Sequence, residues 1–115
     1  MIVVEGFNDV LALDHAGIPA VAICSNRISQ EQSAKVIRFA KNFGEGRISL
    51  MFDCENTGDD GAKEALWLFA ESAPDLDVRL VWSQAMHGGK FAGREPESVS
   101  SEELHSFLLP ALRKG

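Results

Sequence analysis

Carboxylates follow two short apolar runs of this sequence, and after each group come a glycine and a helix-like stretch. Glu5 and Asp9 follow the first run. Asp53 and Glu55 follow the second. Ligands of parallel α/β sheets bind at the carboxyl ends of the strands, so these side chains are expected to converge at one edge of a sheet. Carboxylates that close repel one another, and a hard cation such as Mg²⁺ offsets the repulsion. The pattern therefore predicts a metal site.

The second group is a D-x-E triplet. On an extended strand, Asp53 and Glu55 would point to the same face and could hold one or two metal ions. Gly58 would keep the following turn open to a phosphate. The alternative is a strand-end aspartate with a solvated glutamate, because such triplets are common. Glu5, followed directly by Gly6, favours the metal site, since beside Asp53 it could bind metal or act as a general acid or base with a raised pKa.

Three further acids are candidates with simpler alternatives. Asp9 lies one helical turn beyond Glu5, where it either supports the metal site or caps the first helix. Glu95 and Glu97 flank Pro96, and they are either additional acids of the site or part of a charged loop before a helix.

Basic residues in two loops are candidate phosphate contacts. Lys90 and Arg94 lie among glycines that allow close backbone approach, although this segment could equally be a surface loop. Arg27 follows the second predicted strand and could reach a phosphate at the same sheet edge.

The composition is that of a globular domain. The 115 residues are 45% hydrophobic and 24% charged, which suits one domain with a modest core. The net charge of −6 disfavours direct binding of nucleic acid, so such a partner would be held through a metal or a local basic patch. No stretch approaches the ~20 apolar residues that span a bilayer. Cys24 and Cys54 are predicted to be buried and unpaired, which suits a cytoplasmic protein with no membrane partner.

Strands and helices are predicted to alternate along the chain. Apolar runs predict strands over 2–4, 20–24, 48–52 and 78–82, and Trp67, Phe69 and Trp82 are predicted core residues. Helices are predicted over 8–16, from Ser29 to the glycines near 44, from 56 or 57 to Pro74, and from 100 or 101 to about 108. The fold class is therefore α/β, a single domain over residues 1–115 with a four-stranded, mostly parallel sheet flanked by helices. The strand order does not follow from the pattern, and the abrupt opening strand suggests a domain of a longer protein.

Two motifs, E-G-x-x-D after a first strand and D-x-D/E-x-x-G after a later one, resemble the Toprim domain. Bacterial-type primases, type IA and type II topoisomerases, OLD-family nucleases and RecR-type recombination proteins share that domain. The resemblance covers nearly the whole chain. The matching residues are Glu5, Gly6 and Asp9 in the first motif and Asp53, Glu55 and Gly58 in the second.

The resemblance implies Mg²⁺-dependent nucleotidyl transfer or phosphodiester chemistry on nucleic acid, with Mn²⁺ as a possible substitute. Glu5 would be the general acid or base, and Asp53 and Glu55 would bind metal. Glu55 departs from the family, which usually has aspartate there, so the metal would shift by about a methylene. A primase-type member is favoured. Primase-like members often carry D-P-D after the fourth strand, and Glu95-Pro96-Glu97 stands at about that place, where it is either the same element with longer acids or a charged loop before a helix.

The implied partners are DNA and nucleotides, held through the metal, and other domains of the parent protein. Two alternatives stay open within the family: a non-catalytic, metal-dependent binding or assembly module of RecR type, and an OLD-type nuclease. A receiver-like signalling domain is disfavoured, because it needs a lysine at the end of a late strand, where Trp82-Ser83 stand.

Overall fold

The computed structural model describes residues 2–24, 28–43 and 45–108. Its centre is a parallel sheet of strands β1 (Ile2–Val4), β2 (Ala20–Ala22), β3 (Arg47–Leu50) and β4 (Asp77–Leu80). The order across the sheet is β2-β1-β3-β4, and every pairing is parallel. The predicted four-stranded α/β fold is confirmed. The last three strands end two residues earlier than predicted, so the acids after β3 lie on irregular backbone.

Helices connect the strands. They are α1 (Phe7–His15), α2 (Gln30–Phe43), α3 (Asn56–Ser72) and the short α4 (Ser101–Glu103), which continues as a π-helical turn over Leu104–Leu108. Between β4 and α4, the chain forms 3-10 turns at Met86–Gly89 and Pro96–Ser98. The predicted start of α2 is confirmed, because Ser29 Oγ accepts the Gln32 N–H at 3.1 Å. The predicted cap of α3 is wrong: Glu55 holds that position, and its side chain makes no capping hydrogen bond.

Apolar side chains cover both faces of the sheet. Helices α2 and α3 pack on one face through residues such as Val36, Ala40 and Phe69. Helix α1 and the segment after β4 pack on the other face, through Leu13 and Phe91 among others. The covering helices leave only the strand ends and the outer strands accessible, which places any ligand site there.

Two of the predicted core residues are buried and one is not. Phe69 and Trp82 are 0% and 3% exposed, as predicted. Trp67 is 71% exposed, so that prediction is wrong. Its position explains the exposure, since two residues along a helix correspond to about 200° and carry Trp67 away from the face that buries Phe69.

The cysteines also differ from each other. Cys54 is buried as predicted, whereas Cys24 is exposed and has a left-handed backbone (φ 57°) after β2. Neither cysteine is in a disulfide. Within the described ranges, no helix combines the length and the apolar character that crossing a membrane requires.

Candidate active site

An acidic cavity of about 370 Å³ opens where β1 and β3 end. It is lined by the first turn of α1 and by acids from three separate segments. The structure thereby brings together most of the predicted acids, which are Glu5, Asp9, Asp53, Glu95 and Glu97. They meet because β1 and β3 are neighbours in the sheet, so the chain leaves both strands at the same edge.

Glu5 and Asp53 form the centre of this cavity. Their carboxyl groups share a hydrogen bond, and the Asp53 backbone N–H also donates to Glu5. Burial, followed by repulsion from Asp53, raises the pKa of Glu5 to about 7. Burial also raises the pKa of Asp53. Without a cation, the pair therefore retains a proton at pH values up to about 7, and Glu5 is the carboxyl that carries it.

One oxygen of Glu5 has an unusual environment. Oε1 is buried, and it has no hydrogen-bond partner within the described part of the chain. A buried carboxyl oxygen without a partner is costly, and native structures rarely leave one without a role. This oxygen is a hydrogen-bond acceptor, and the carboxylates around it are acceptors as well, so a bound cation would satisfy it.

Asp9 is a buried link between two motifs. Only 5% exposed, it accepts the Gly6 N–H on Oδ2 and the Glu97 N–H on Oδ1, both at 3.2 Å. Burial raises its pKa, although the N–H donated by Gly6 opposes that effect. Asp9 thus caps α1 and also fixes the turn that carries Glu97. Both of its oxygens already accept hydrogen bonds, which suits a positioning role.

Glu95 and Glu97 join the site through the backbone that carries them. The Cys54 N–H donates to the Arg94 carbonyl at 2.7 Å, and the Gly93 N–H donates to the Cys54 carbonyl at 2.6 Å. These bonds bind the turn to the segment that carries Asp53. Both glutamates are exposed, and their mutual hydrogen bond raises the pKa of Glu95. They lie at the mouth of the cavity.

Glu55 does not line the cavity. The prediction assumed an extended strand, but β3 ends at Leu50, and the Asp53 carbonyl accepts the Glu55 N–H at 2.8 Å. Such a two-residue hydrogen bond turns the backbone. Asp53 therefore faces the cavity, whereas Glu55 is an exposed residue at the start of α3. The premise of an extended strand through Glu55 is therefore wrong, although, beside burial, the charge of Glu55 still contributes to the raised pKa values of Glu5 and Asp53.

The two motif glycines differ in what they permit. A Cβ on Gly58 would lie 1.9 Å from the Asp53 carbonyl oxygen, so only glycine fits. Its role is close packing of α3 against the Asp53 backbone rather than an opening for phosphate. A Cβ on Gly6 would lie 3.4 Å from Asp9 Oδ2, an ordinary contact.

Two of the three predicted phosphate contacts, Arg94 and Lys90, do not line the cavity. Arg94 donates to both oxygens of Glu103, at 2.9 and 3.0 Å, so its guanidinium holds the turn in place. Lys90 is exposed and does not line the cavity. Arg27 lies outside the described residues. Sequence reasoning missed Phe7 and Asn8, which line the cavity. Their place between Glu5 and Asp9 in the sequence could have indicated that they line the cavity.

The acids gather at this edge without forming a finished metal centre. Over residues 2–24, 28–43 and 45–108, no three Asp, Glu, His or Cys side chains already stand where they could hold an ion. The donor set is nevertheless the one that Mg²⁺ prefers, and a cation would give the buried Oε1 of Glu5 the partner that it lacks among the described residues. The residues fit a divalent cation, with side-chain adjustment on binding.

The chain belongs to the Toprim-like family, whose family model matches residues 2–87. Glu95 and Glu97 lie beyond the matched segment. A comparison with curated proteins gave no match. Among solved structures, the fold is similar to that of the Aquifex aeolicus primase (zinc binding and RNA polymerase domains), with a TM-score of 0.66 and 24% sequence identity. The match covers 98% of this chain and 24% of that primase chain.

The protonated Glu5 predicts a pH dependence of stability. Its pKa of about 7 lies above the ordinary 4.5, so between these values the folded chain keeps a proton that the unfolded chain has lost. In metal-free buffer, the free energy of unfolding should therefore fall as pH rises through that window. The raised pKa values of Asp9 and Asp53 act in the same direction. The pKa of Glu103 is lowered to about 2, so this group changes the free energy of unfolding only at more acidic pH, below that window.

Urea unfolding at about pH 5 and about pH 8, with a chelator, measures this fall. Glu5→Gln should make the fall smaller, because glutamine does not titrate. Glu71→Gln is the matched control on the exposed end of α3, and it should leave the fall unchanged. An undiminished fall in Glu5→Gln would contradict the assignment of the proton to Glu5.

Proposed function

We propose that this chain is a Mg²⁺-dependent catalytic module for nucleotidyl transfer or phosphodiester chemistry on nucleic acid, acting within a larger, primase-like cytoplasmic protein. Mn²⁺ would substitute for Mg²⁺. The observation that carries the proposal is the meeting of Glu5 with Asp53. It joins the acids of both family motifs and leaves a buried Glu5 oxygen without a partner in the described chain.

Asp53 and Glu5 would be the principal metal ligands. Glu95 and Glu97 would contribute from the mouth of the cavity, and Glu55, whose charge adds to the effect of burial on the raised pKa values of Glu5 and Asp53, would contribute from outside the cavity lining. When bound, Mg²⁺ supplies positive charge that polarises phosphoryl oxygens and stabilises the charge that develops during phosphoryl transfer. Asp9 would act by holding the Glu97 turn against α1, through hydrogen bonds to both backbone segments.

Glu5 is suited to move a proton. A carboxyl whose pKa lies at about 7 is present in both protonation states near neutral pH, which is the condition for general acid–base catalysis. The hydrogen bond with Asp53 fixes its position at the cavity wall. A cation in the cavity would lower this pKa, so Glu5 would act mainly as a base in the loaded state.

DNA and nucleotides would be held through the metal rather than by the cavity wall. The wall is acidic and the chain has a net charge of −6, so phosphates would be repelled without a cation. Other domains of the parent protein would supply basic surface. The Aquifex aeolicus primase structure, whose chain is about four times as long, comprises zinc binding and RNA polymerase domains, and this chain matches about a quarter of it.

One observation favours a second candidate, a non-catalytic module of RecR type. Glu55, the second acid of the D-x-E motif, lies outside the cavity. A site with fewer ligands could bind metal and assist assembly on nucleic acid without the precise geometry that catalysis needs.

Metal binding is the experiment that tests the shared site. Mg²⁺ at about 100 times its Kd should stabilise the fold by about 2.7 kcal/mol, raising Tm by about 10 °C. Glu5→Gln and Asp53→Asn should abolish most of this rise, because each removes one of the two central carboxylates. Glu71→Gln and Asp14→Asn are matched controls on exposed helix positions and should retain it. Absence of any Mg²⁺ or Mn²⁺ effect on the unsubstituted chain would refute both candidate functions.

A further inference from the structure

A second surface lies on the opposite side of β1 from β3, between the outer strand β2 and helix α2. Two adjoining cavities of about 240 and 170 Å³ form a groove there, and both are lined by Lys35 and Phe39. We call it the β2–α2 groove. Its other principal walls are Val21, Ala22, Val36 and Arg38. Phe39 is 52% exposed.

The backbone of β2 gives this groove an open strand edge. β2 is the first strand of the sheet, with β1 on one side. Val21 pairs with Val3, and the Ile23 N–H donates to the Val4 carbonyl at 3.1 Å. Backbone groups alternate along a strand, so the N–H and C=O of Ala22 point to the other side. In the described part of the chain, no backbone group is hydrogen-bonded to that outer side of Ala22.

The groove differs in charge from the rest of the chain. Two basic residues, Lys35 and Arg38, line it, although the chain as a whole has a net charge of −6. One acidic residue, Glu31, lies one helical turn before Lys35 on α2. The apolar walls are continuous with the strand edge, since Val21 faces the same side of the sheet as Val36. A partner must therefore offer backbone pairing, apolar side chains and a small number of negative charges together.

We propose that the β2–α2 groove docks an extended peptide segment that adds a parallel or antiparallel strand to β2, with apolar side chains toward Phe39 and flanking carboxylates toward Lys35 and Arg38. Strand addition of this kind takes affinity from backbone hydrogen bonds and specificity from alternate side chains. A second copy of this chain fits poorly, because it would place its own Lys35 and Arg38 against the same residues. Single-stranded nucleic acid fits poorly as well, because two cations neutralise few phosphates.

A synthetic probe tests the proposal directly. The peptide acetyl-Glu-Thr-Val-Thr-Ile-Thr-Glu-amide presents Val, Ile and both Glu side chains on one face when extended. Added to isotope-labelled chain at up to about 1 mM, it should give saturable shifts of the Ala20–Ile23 amides and of α2. Lys35→Glu should weaken binding about fivefold, because an attraction becomes a repulsion. Lys63→Glu, the same charge change on exposed α3, should leave it unaltered.

A backbone variant separates strand addition from simple charge attraction. Ala22→Pro removes the outward N–H while leaving the groups that pair with β1, and edge strands tolerate proline. It should also weaken the peptide about fivefold, with the remaining amide spectrum showing that the fold is kept. No saturable shift with the unsubstituted chain, or equal binding by Lys35→Glu, would overturn the proposal. So would self-association through β2, or stronger shifts of the same amides by metal-free single-stranded DNA.

Discussion

Glu5→Gln is expected to lower the rate of strand synthesis or cleavage about 10²–10⁴-fold in the native protein that carries this chain. Glutamine keeps the shape of the side chain and can still hydrogen-bond Asp53, but it cannot exchange a proton. The loss should therefore persist at Mg²⁺ concentrations that saturate the variant, where the missing proton transfer affects the chemical step. The measurement is single-turnover product formation with single-stranded DNA, ribonucleotides and Mg²⁺.

Two comparisons make that result specific. Glu71→Gln should leave the rate unchanged, since it lies on the exposed end of α3. At a Mg²⁺ concentration high enough to saturate the weakened site, binding of single-stranded DNA, followed by fluorescence anisotropy, should be similar for Glu5→Gln and the unsubstituted protein. A Glu5→Gln protein at full rate would rule out the acid–base role. If the unsubstituted protein binds DNA but neither synthesises nor cleaves it, the RecR-type module is the correct function.

The meeting of Glu5 with Asp53 could be expected from the sequence only in part. Alternation of strands and helices implies a parallel sheet, and such a sheet gathers strand-end residues at one edge. That edge spans four strands, however, and the pattern does not say that β1 and β3 are neighbours. The strand order β2-β1-β3-β4, known only from the structure, shows that β1 and β3 are neighbours.

The error at Glu55 has a local physical cause. Side chains two residues apart share a face only within an extended strand, and β3 ends at Leu50, before Asp53. The turn that follows depends on packing of α3 against the backbone, which no short-range propensity encodes. Likewise, the pairing of Cys54 with Gly93 and Arg94 is a contact between distant segments. The sequence could name Glu95 and Glu97 as candidates but not the bonds that carry them to the cavity.

Gly58→Ala is expected to destabilise the fold by about 1–3 kcal/mol, although alanine is the better helix former by about 1 kcal/mol. The opposite sign follows from sterics. The new Cβ would lie 1.9 Å from the Asp53 carbonyl oxygen and 2.8 Å from its carbonyl carbon. Both atoms are backbone, so no side-chain rotation relieves the overlap, and α3 or the Asp53 segment must move. Urea unfolding at constant pH measures the change.

Gly6→Ala is the control, because its Cβ would make an ordinary 3.4 Å contact and its φ of −117° suits any residue. Its cost should stay below about 1 kcal/mol, in the lower part of the range for helix N-cap changes to alanine. A Gly58→Ala chain more stable than the unsubstituted one would contradict the close packing.

Gly58→Ala should also weaken Mg²⁺ binding, since the Asp53 backbone N–H donates to Glu5 and its carbonyl accepts from Glu55. Movement of that backbone would separate the carboxyl groups of Asp53 and Glu5. Gly58 of the second motif therefore helps to position Glu5 of the first.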